Sequence, residues 1–318
     1  MPPVLKDKTV LIAIGGNALS PGETTGNIHQ QFAQTRAALH TILPFIQQGY
    51  RLAITHGNGP QVGEELLRVE LAADRVPAMP LGVCVAATQG TMGYMIEQSL
   101  QNALIDESIE RDVVSIITQV VVDANDPALA EPIKFIGDRY SRERAQNLAQ
   151  RLGWKIGQQE EGVWRRVVPS PVPVRIINST SIRHLVEMGS IVIASGGGGI
   201  PAYVMKNGHF EGLDAVIDKD LAAAVLGADI GAQDLYILTD VPEVYLHFHT
   251  ERQQSIRQMS EQQAQTYLTE GHFPPGSMGP KIEAALHFLH GGGHKVIVTN
   301  IETLELAVTG AGGTTIHV

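Results

Sequence analysis

Residues 53–66 read AITHGNGPQVGEEL. An apolar strand runs out into His56, Gly57, Asn58, Gly59 and Pro60, and a helix follows with Gly63 in its first turn. Small residues where a strand hands over to a helix let a ligand approach the backbone closely. A helix N-terminus presents unpaired N–H groups and the positive end of its dipole, so the expected ligand is an anion.

On either side of this stretch, short β-branched runs alternate with helical patterns. The runs are TVLIAI (9–14), RLAIT (51–55), DVVSIITQVVV (112–122), SIVIAS (190–195), DLYILTD (234–240) and HKVIVT (294–299). Helix-like segments fall at 29–48, 87–106, 179–188, 218–228 and 280–290. Continuous apolar strands alternating with helices predict an α/β fold with a mostly parallel sheet covered on both faces. Ligands of such sheets bind beyond the carboxyl ends of the strands. Three glycine clusters sit there: Gly15-Gly16-Asn17, Gly57-Asn58-Gly59 and Gly196 to Gly199. Residues 123–175 break the rhythm with prolines, both tryptophans and many charges, and read as a small subdomain with strands near 154–159 and 163–168. VMKNGHFE (204–211) carries Asn-Gly and reads as a hairpin.

The chain of 318 residues is 43% hydrophobic, enough for one large core or two adjoining ones. Its formal net charge of −10 argues against a nucleic-acid partner, which demands dense Lys and Arg. With the single cysteine, Cys84, no intrachain disulfide can form, and its apolar surroundings predict a core position. No run of 18 apolar residues predicts a membrane span, and the N-terminal segment turns glycine-rich too soon for a secretory signal. The expectation is a cytoplasmic protein.

The Walker pattern GxxxxGK[ST] and the protein-kinase motifs HRD and DFG are absent, and residues 57–63 spell GxGxxxG rather than GxGxxG. Only eight lysines are present, and two of them, Lys219 and Lys281, lie in apolar helix starts. A lysine there opposes the helix dipole unless an anion is close. Asp218 and Asp220 could supply one in an ordinary ion pair; a bound ligand is the other reading. His287, His290 and His294 have a spacing open to a metal, but the run also ends a helix, where histidine suits the dipole. His56 reads as a scaffold more than a ligand contact, and Met92, Tyr94 and Met95 as packing.

GGNAL (15–19), THGNGPQVG (55–63), QGTMGY (89–94), GGGGIP (196–201), VIDKDLA (216–222), LTDVPEVY (238–245) and GSMGPKIEAA (276–285) together resemble, in order, the carbamate kinases of the amino acid kinase superfamily. The resemblance runs from about residue 9 to 317 and implies an open, mainly parallel sheet of about eight strands between helices, with a protruding subdomain. It implies reversible conversion of ATP and carbamate to ADP and carbamoyl phosphate, with Mg²⁺ on the nucleotide phosphates, no metal ligand from the protein, and a homodimer. The direction implied is catabolic, making ATP, as in arginine breakdown.

By the same resemblance, residues 1–124 and 171–212 hold carbamate or carbamoyl phosphate, 125–170 form a lid, and 213–318 hold nucleotide. Gly15, Gly16, Asn17, Gly57, Asn58 and Gly59 would bind substrate. Lys134, Lys219, Asp220 and Lys281 would be catalytic, with Asp220 organising the two lysines. Asp218, Thr239, Asp240, Val241 and Met278 would bind nucleotide. One motif departs from the family: IKFIGDRY (133–140) stands where relatives have a pattern close to TKPIGPFY. Phe135 and Asp138 replace prolines, which predicts a looser lid loop and a negative charge near the substrate unless Arg139 pairs with it. Two other readings stay open: the same fold acting on another small carboxylate, and a ligand-binding paralogue without turnover.

Overall fold

The computed structural model describes residues 5–19, 26–274 and 276–318, with Asn17 described through its backbone alone. Its central sheet has eight strands. In spatial order they are β15 (Gln258–Ser260), β17 (Thr314–His317), β16 (Lys295–Thr299), β12 (Asp234–Leu238), β1 (Thr9–Ile14), β2 (Arg51–His56), β9 (Ile191–Ile193) and β3 (Val113–Ser115). All run parallel from β16 to β3, and β17 turns antiparallel to β16 at one edge. The expected parallel sheet is therefore present.

Strand β1 shows why these runs are apolar throughout. Val10, Ile12 and Ile14 pack in one layer with α1 (Ile28–His40) and α4 (Leu81–Asp106). Leu11 and Ala13 point the other way, into α7 (Lys219–Ile230) and α9 (Met278–His290), alongside α6 (Ser179–Glu187). A strand covered on both faces needs no polar alternation. Helix α7 is small-residue-rich because α9 presses on it: a Cβ on Gly227 would lie 2.6 Å from a ring carbon of Phe288.

Several boundaries differ from the sequence expectation. DVVSIITQVVV is two strands in two sheets. The chain leaves β3, crosses at Ile116–Thr118, and enters β4 (Gln119–Val122) of a second sheet. That sheet has the order β11 (Phe210–Gly212), β10 (Ile200–Val204), β4 and β8 (Pro173–Ile176), and its β10–β11 pair is the expected hairpin. The helix expected over 29–48 breaks before Pro44 into α1 and α2 (Leu43–Gln47), since proline lacks the N–H a continuous helix requires. Gly63 falls in the second turn of α3 (Gly59–Ala72), not the first. Met92 and Met95 are buried as expected, but Tyr94 is 57% exposed and meets Phe32 edge-on. Cys84 is buried. The C-terminal part is completed by the hairpin β13 (Val244–Leu246) and β14 (Gln254–Ile256), by α8 (Glu261–Thr269), and by α10 (Leu304–Val308). Ser260 and Gln263 close a reciprocal cap on α8.

The small subdomain is a three-stranded sheet, β5 (Lys134–Tyr140), β7 (Val163–Val168) and β6 (Ile156–Glu160), with α5 (Arg142–Leu152) beside it. It stands on α3. Ile136 and Val168 pack with Val62, Leu66 and Val69. Buried Glu70 accepts a hydrogen bond from the Tyr140 hydroxyl at 2.7 Å and pairs with Arg144. Burial and the Glu70 carboxylate push the Tyr140 phenol pKa up. The helix that starts at the glycine loop thus also carries the small subdomain. Tyr140→Phe is expected to lower stability by about 1.5–3 kcal/mol, the scale of a hydrogen bond to a charged acceptor, in urea unfolding. An unchanged midpoint would show that the bond contributes nothing to docking of the subdomain on α3.

Candidate active site

The first two glycine loops touch. A Cβ on Gly57 would lie 2.7 Å from the Gly16 nitrogen, and the Gly57 N–H donates to the Ile14 carbonyl at 2.9 Å. Gly15 sits under the Leu238 carbonyl, where a Cβ would lie 3.1 Å away. Asn17 belongs by its backbone to the 3-10 turn Gly16–Leu19; its side chain lies outside the described residues. Helix α3 begins at Gly59 with Pro60 next, so its first-turn N–H groups lie beside this junction.

The third loop supports the second from behind. Ser195, Gly197, Gly198 and Gly199 all have positive φ, between 56° and 87°. A Cβ on Gly197 would lie 2.2 Å from the Asn58 amide nitrogen. That amide donates to Thr88 Oγ1 at 2.8 Å, which itself donates to the Val85 carbonyl. Gln89 accepts from the Thr118 N–H and donates to the Gly196 carbonyl. Thr88 and Gln89, on α4, therefore fix the glycine loop. QGTMGY marked their region without giving them this role.

His56 is the scaffold expected. It is buried, with Nδ1 3.0 Å from the Gly57 carbonyl oxygen, so the Nδ1–H tautomer donates there. Burial, and more weakly the Lys219 charge, lowers its pKa to about 4, against an upward pull from the Gly57 bond. Between pH 4 and about 6.5 the unfolded imidazole binds a proton that the folded one refuses. Stability therefore falls as pH drops through that window, by about 3 kcal/mol in full. Urea unfolding from pH 7 to 4 should show this loss, and His56→Gln should flatten it; an equal slope in the variant would assign the loss to other groups.

The lysines expected at helix starts are brought together. Asp220, 3% exposed, receives Lys219 Nζ at 2.5 Å on one carboxylate oxygen and Lys281 Nζ at 3.0 Å on the other. Burial alone would raise the Asp220 pKa, but the two ammonium groups outweigh it and hold it below the ordinary carboxylate value. Asp218 caps α7, accepting from the N–H groups of Asp220 and Leu221, and its other oxygen is 3.6 Å from Lys134 Nζ. Asp218 thus lies beside Lys134 and is not among the residues lining the cavity that holds the other four expected nucleotide residues.

One cavity reaches the start of α9, at Met278, and another includes Lys134, the neighbour of Asp218. The larger, about 380 Å³, is lined by Thr239, Asp240, Val241 and Met278, four of the five expected nucleotide residues, with Tyr245 and Phe248. Those two rings stack at 5.6 Å, and nothing in the spacing singled out Phe248 beforehand. The smaller, about 170 Å³, is lined by Asn58, Gly59, Lys134, Phe135, Gly137 and Arg165 among others. Arg165 carried no sequence signal beyond lying in a charged segment. Asp138 lies in the irregular stretch of strand β5 between Ile136 and Tyr140, is exposed, and is not itself among the residues lining the cavity, although its charge acts on Arg165, which is; its carboxylate accepts from the Arg139 N–H. The Arg139 guanidinium lies 3.7 Å from Glu160 instead. His290 pairs with Glu261, and among the described residues no group of three His, Cys, Asp or Glu is placed to hold a metal.

Residues 8–300 match the amino acid kinase family. The chain is 43% identical to a carbamate kinase of Pyrococcus furiosus, over 96% of this chain and 98% of that protein. It is 42% identical to a carbamate kinase-like protein of Escherichia coli, over 96% and 97%. The structure of carbamate kinase from Giardia lamblia bound to AMP-PNP superposes with a TM-score of 0.91 at 36% identity, covering 98% of both chains. With motifs, sheet order and lysine cluster already in agreement, these matches place the chain in the amino acid kinase family, on its carbamate kinase branch.

Proposed function

We propose that this chain catalyses reversible phosphoryl transfer between ATP and carbamate, giving ADP and carbamoyl phosphate. The observation that carries the reading is the Asp220 bridge. Helix α7 is capped by Asp218, next to Lys134 of the small cavity, and α9 begins at Met278, in the wall of the large one. Asp220 ties a lysine from each helix to one carboxylate. A cationic pair is thereby fixed where two bound substrates would meet.

The nucleotide occupies the large cavity, its base against Tyr245 and Phe248. The carbamate end lies against the Gly57–Gly59 turn in the small one, and Gly15, Gly16 and Asn17 face the transferred group. A carbamate oxygen attacks the terminal phosphorus of ATP while the bond to ADP breaks. Such transfer depends on in-line positioning and charge neutralisation more than on covalent help. Lys219 and Lys281 neutralise the phosphoryl oxygens, and Asp220 keeps both ammonium groups charged and aimed. Mg²⁺ enters on the nucleotide phosphates, as it usually does in kinases. The N-terminal half with the second sheet holds carbamate, residues 125–170 act as the lid, and the C-terminal part holds nucleotide. A cytoplasmic homodimer working towards ATP completes the reading.

Lys134 reaches the acyl phosphate from the lid. Lys134→Ala is expected to raise KM for carbamoyl phosphate and lower kcat/KM by about 10-fold or more, while ADP binding stays intact. Unchanged KM and kcat would leave Lys134 a surface residue of the lid. The acceptor itself is tested by supplying ADP with different acyl phosphates. Carbamoyl phosphate should give the highest kcat/KM; a higher value with another acyl phosphate would move the enzyme to another small carboxylate. ADP binding with no turnover on any of them would indicate a ligand-binding paralogue.

A further inference from the structure

Strand β7 carries two adjacent arginines that face opposite sides of the lid sheet, as neighbours on a strand do. Their surroundings differ. Arg166 is buried and paired: its Nη2 meets Asp214 at 2.7 Å, and its guanidinium lies 5.0 Å over the Trp154 ring. Arg165 makes no close ion pair among the described residues; the Asp138 carboxylate favours its charge from farther off, and the Arg139 guanidinium opposes it. The Arg165 Nη2 donates to the Gly137 carbonyl at 2.6 Å and its Nη1 to Gln159 Oε1 at 3.2 Å, while its Nε is buried and has no partner. The same side chain forms part of the wall of the small cavity, with Asn58, Gly59 and Lys134.

A permanently charged, partly desolvated guanidinium with an unmatched N–H, and only the more distant Asp138 carboxylate to offset its charge, is costly unless something supplies the acceptor. The adjoining cavity is where one would come from. The Gly137 carbonyl fixes the fork from the lid side, and its position depends on a φ of 71° that favours glycine. We infer that Arg165 is a substrate-binding residue, whose guanidinium engages the acyl oxygen or the bridging oxygen of carbamoyl phosphate across from the Gly57–Gly59 turn. This inference rests on the phosphotransfer proposed above.

Arginine is donor-only and planar, so it reads a planar acyl phosphate by two oxygens at once, which a lysine cannot. The two lid cations then differ in task. Lys134, already beside Asp218, is a point charge near the α7 end, and Arg165 sets the orientation of the acyl group. Closing the lid brings both over the site in one movement, since β5 and β7 are paired strands.

Arg165→Gln and Arg165→Lys in the full chain test this, with carbamoyl phosphate and ADP varied in turn and thermal unfolding recorded for each protein. Arg165→Gln is expected to raise KM for carbamoyl phosphate about 10- to 100-fold, with KM for ADP within about twofold; Arg165→Lys should fall between it and the wild type. A purely structural role in holding β5 to β7 would instead lower the unfolding temperature and leave KM for carbamoyl phosphate unchanged, which would overturn the inference. A parallel rise in KM for ADP would overturn it as well. If Arg165→Gln does not fold, Arg165→Lys decides by the same two constants. A wild-type protein that forms no ATP would instead defeat the underlying phosphotransfer reading.

Discussion

Lys219→Ala or Lys281→Ala is expected to lower kcat by about 10²–10³, the scale for losing one preorganised charge donor at a developing oxyanion. The expectation follows from the shared carboxylate. Each lysine is held within 3.0 Å of Asp220, and Asp220 is almost wholly buried, so neither ammonium group can drift to replace the other. Asp220→Asn should cost as much, because it misaims two cations and leaves them facing each other. The double variant Lys219→Ala/Lys281→Ala should lose less than the product of the single losses, since the three groups act as a unit. Stability separates the roles. Lys219→Ala leaves Asp220 one partner, whereas Asp220→Asn removes the only shared anion from two half-buried lysines. The second change should cost about 3 kcal/mol in urea unfolding, as breaking a buried pair does. A Lys281→Ala enzyme with wild-type kcat would place that lysine outside the reaction.

Gly57→Ala is expected to lower kcat/KM by about 10²-fold or more, because misplacement of the reacting groups by about an ångström has that effect. The new methyl would meet the Gly16 backbone nitrogen at 2.7 Å and its Cα at 3.0 Å. No flexible side chain is there to yield, so one of the two loops must shift. Gly59→Ala is the control for folding. A Cβ there meets nothing within 4 Å, and the residue opens α3, so stability should hold or rise by a few tenths of a kcal/mol. Steady-state kinetics and urea unfolding of both variants check the pair. Unimpaired kcat/KM in Gly57→Ala would show that contact between the loops is not part of the site.

The sequence announced the parallel sheet because strands buried on both faces cannot be polar, and β1, β2, β12 and β16 are apolar nearly throughout. It also pointed to Lys219, Lys281 and Asp220, since cations at apolar helix starts call for an anion. Hidden from it were contacts between residues far apart in the chain. Thr88 and Gln89 hold the glycine loops through side-chain hydrogen bonds that span 30 and 107 positions. Arg165 looks like any surface arginine until β7 is folded over Gly59. The splitting of 112–122 escaped notice for a different reason: Ile116 and Ile117 keep the run apolar while the backbone changes sheets. The capping role of Asp218 was equally hidden, because a helix-capping aspartate and a ligand-binding one read alike in sequence.

The central claim is that the Lys219–Asp220–Lys281 bridge moves a phosphoryl group between the two cavities. The most direct measurement is ATP formed by the purified wild-type protein from ADP, Mg²⁺ and carbamoyl phosphate, followed in a coupled assay beside Asp220→Asn at saturating substrates. The account predicts rapid ATP formation by the wild type and a loss of about 10²-fold or more in the variant. No ATP above the enzyme-free control, with ADP binding intact, or equal rates in the two proteins, would contradict it.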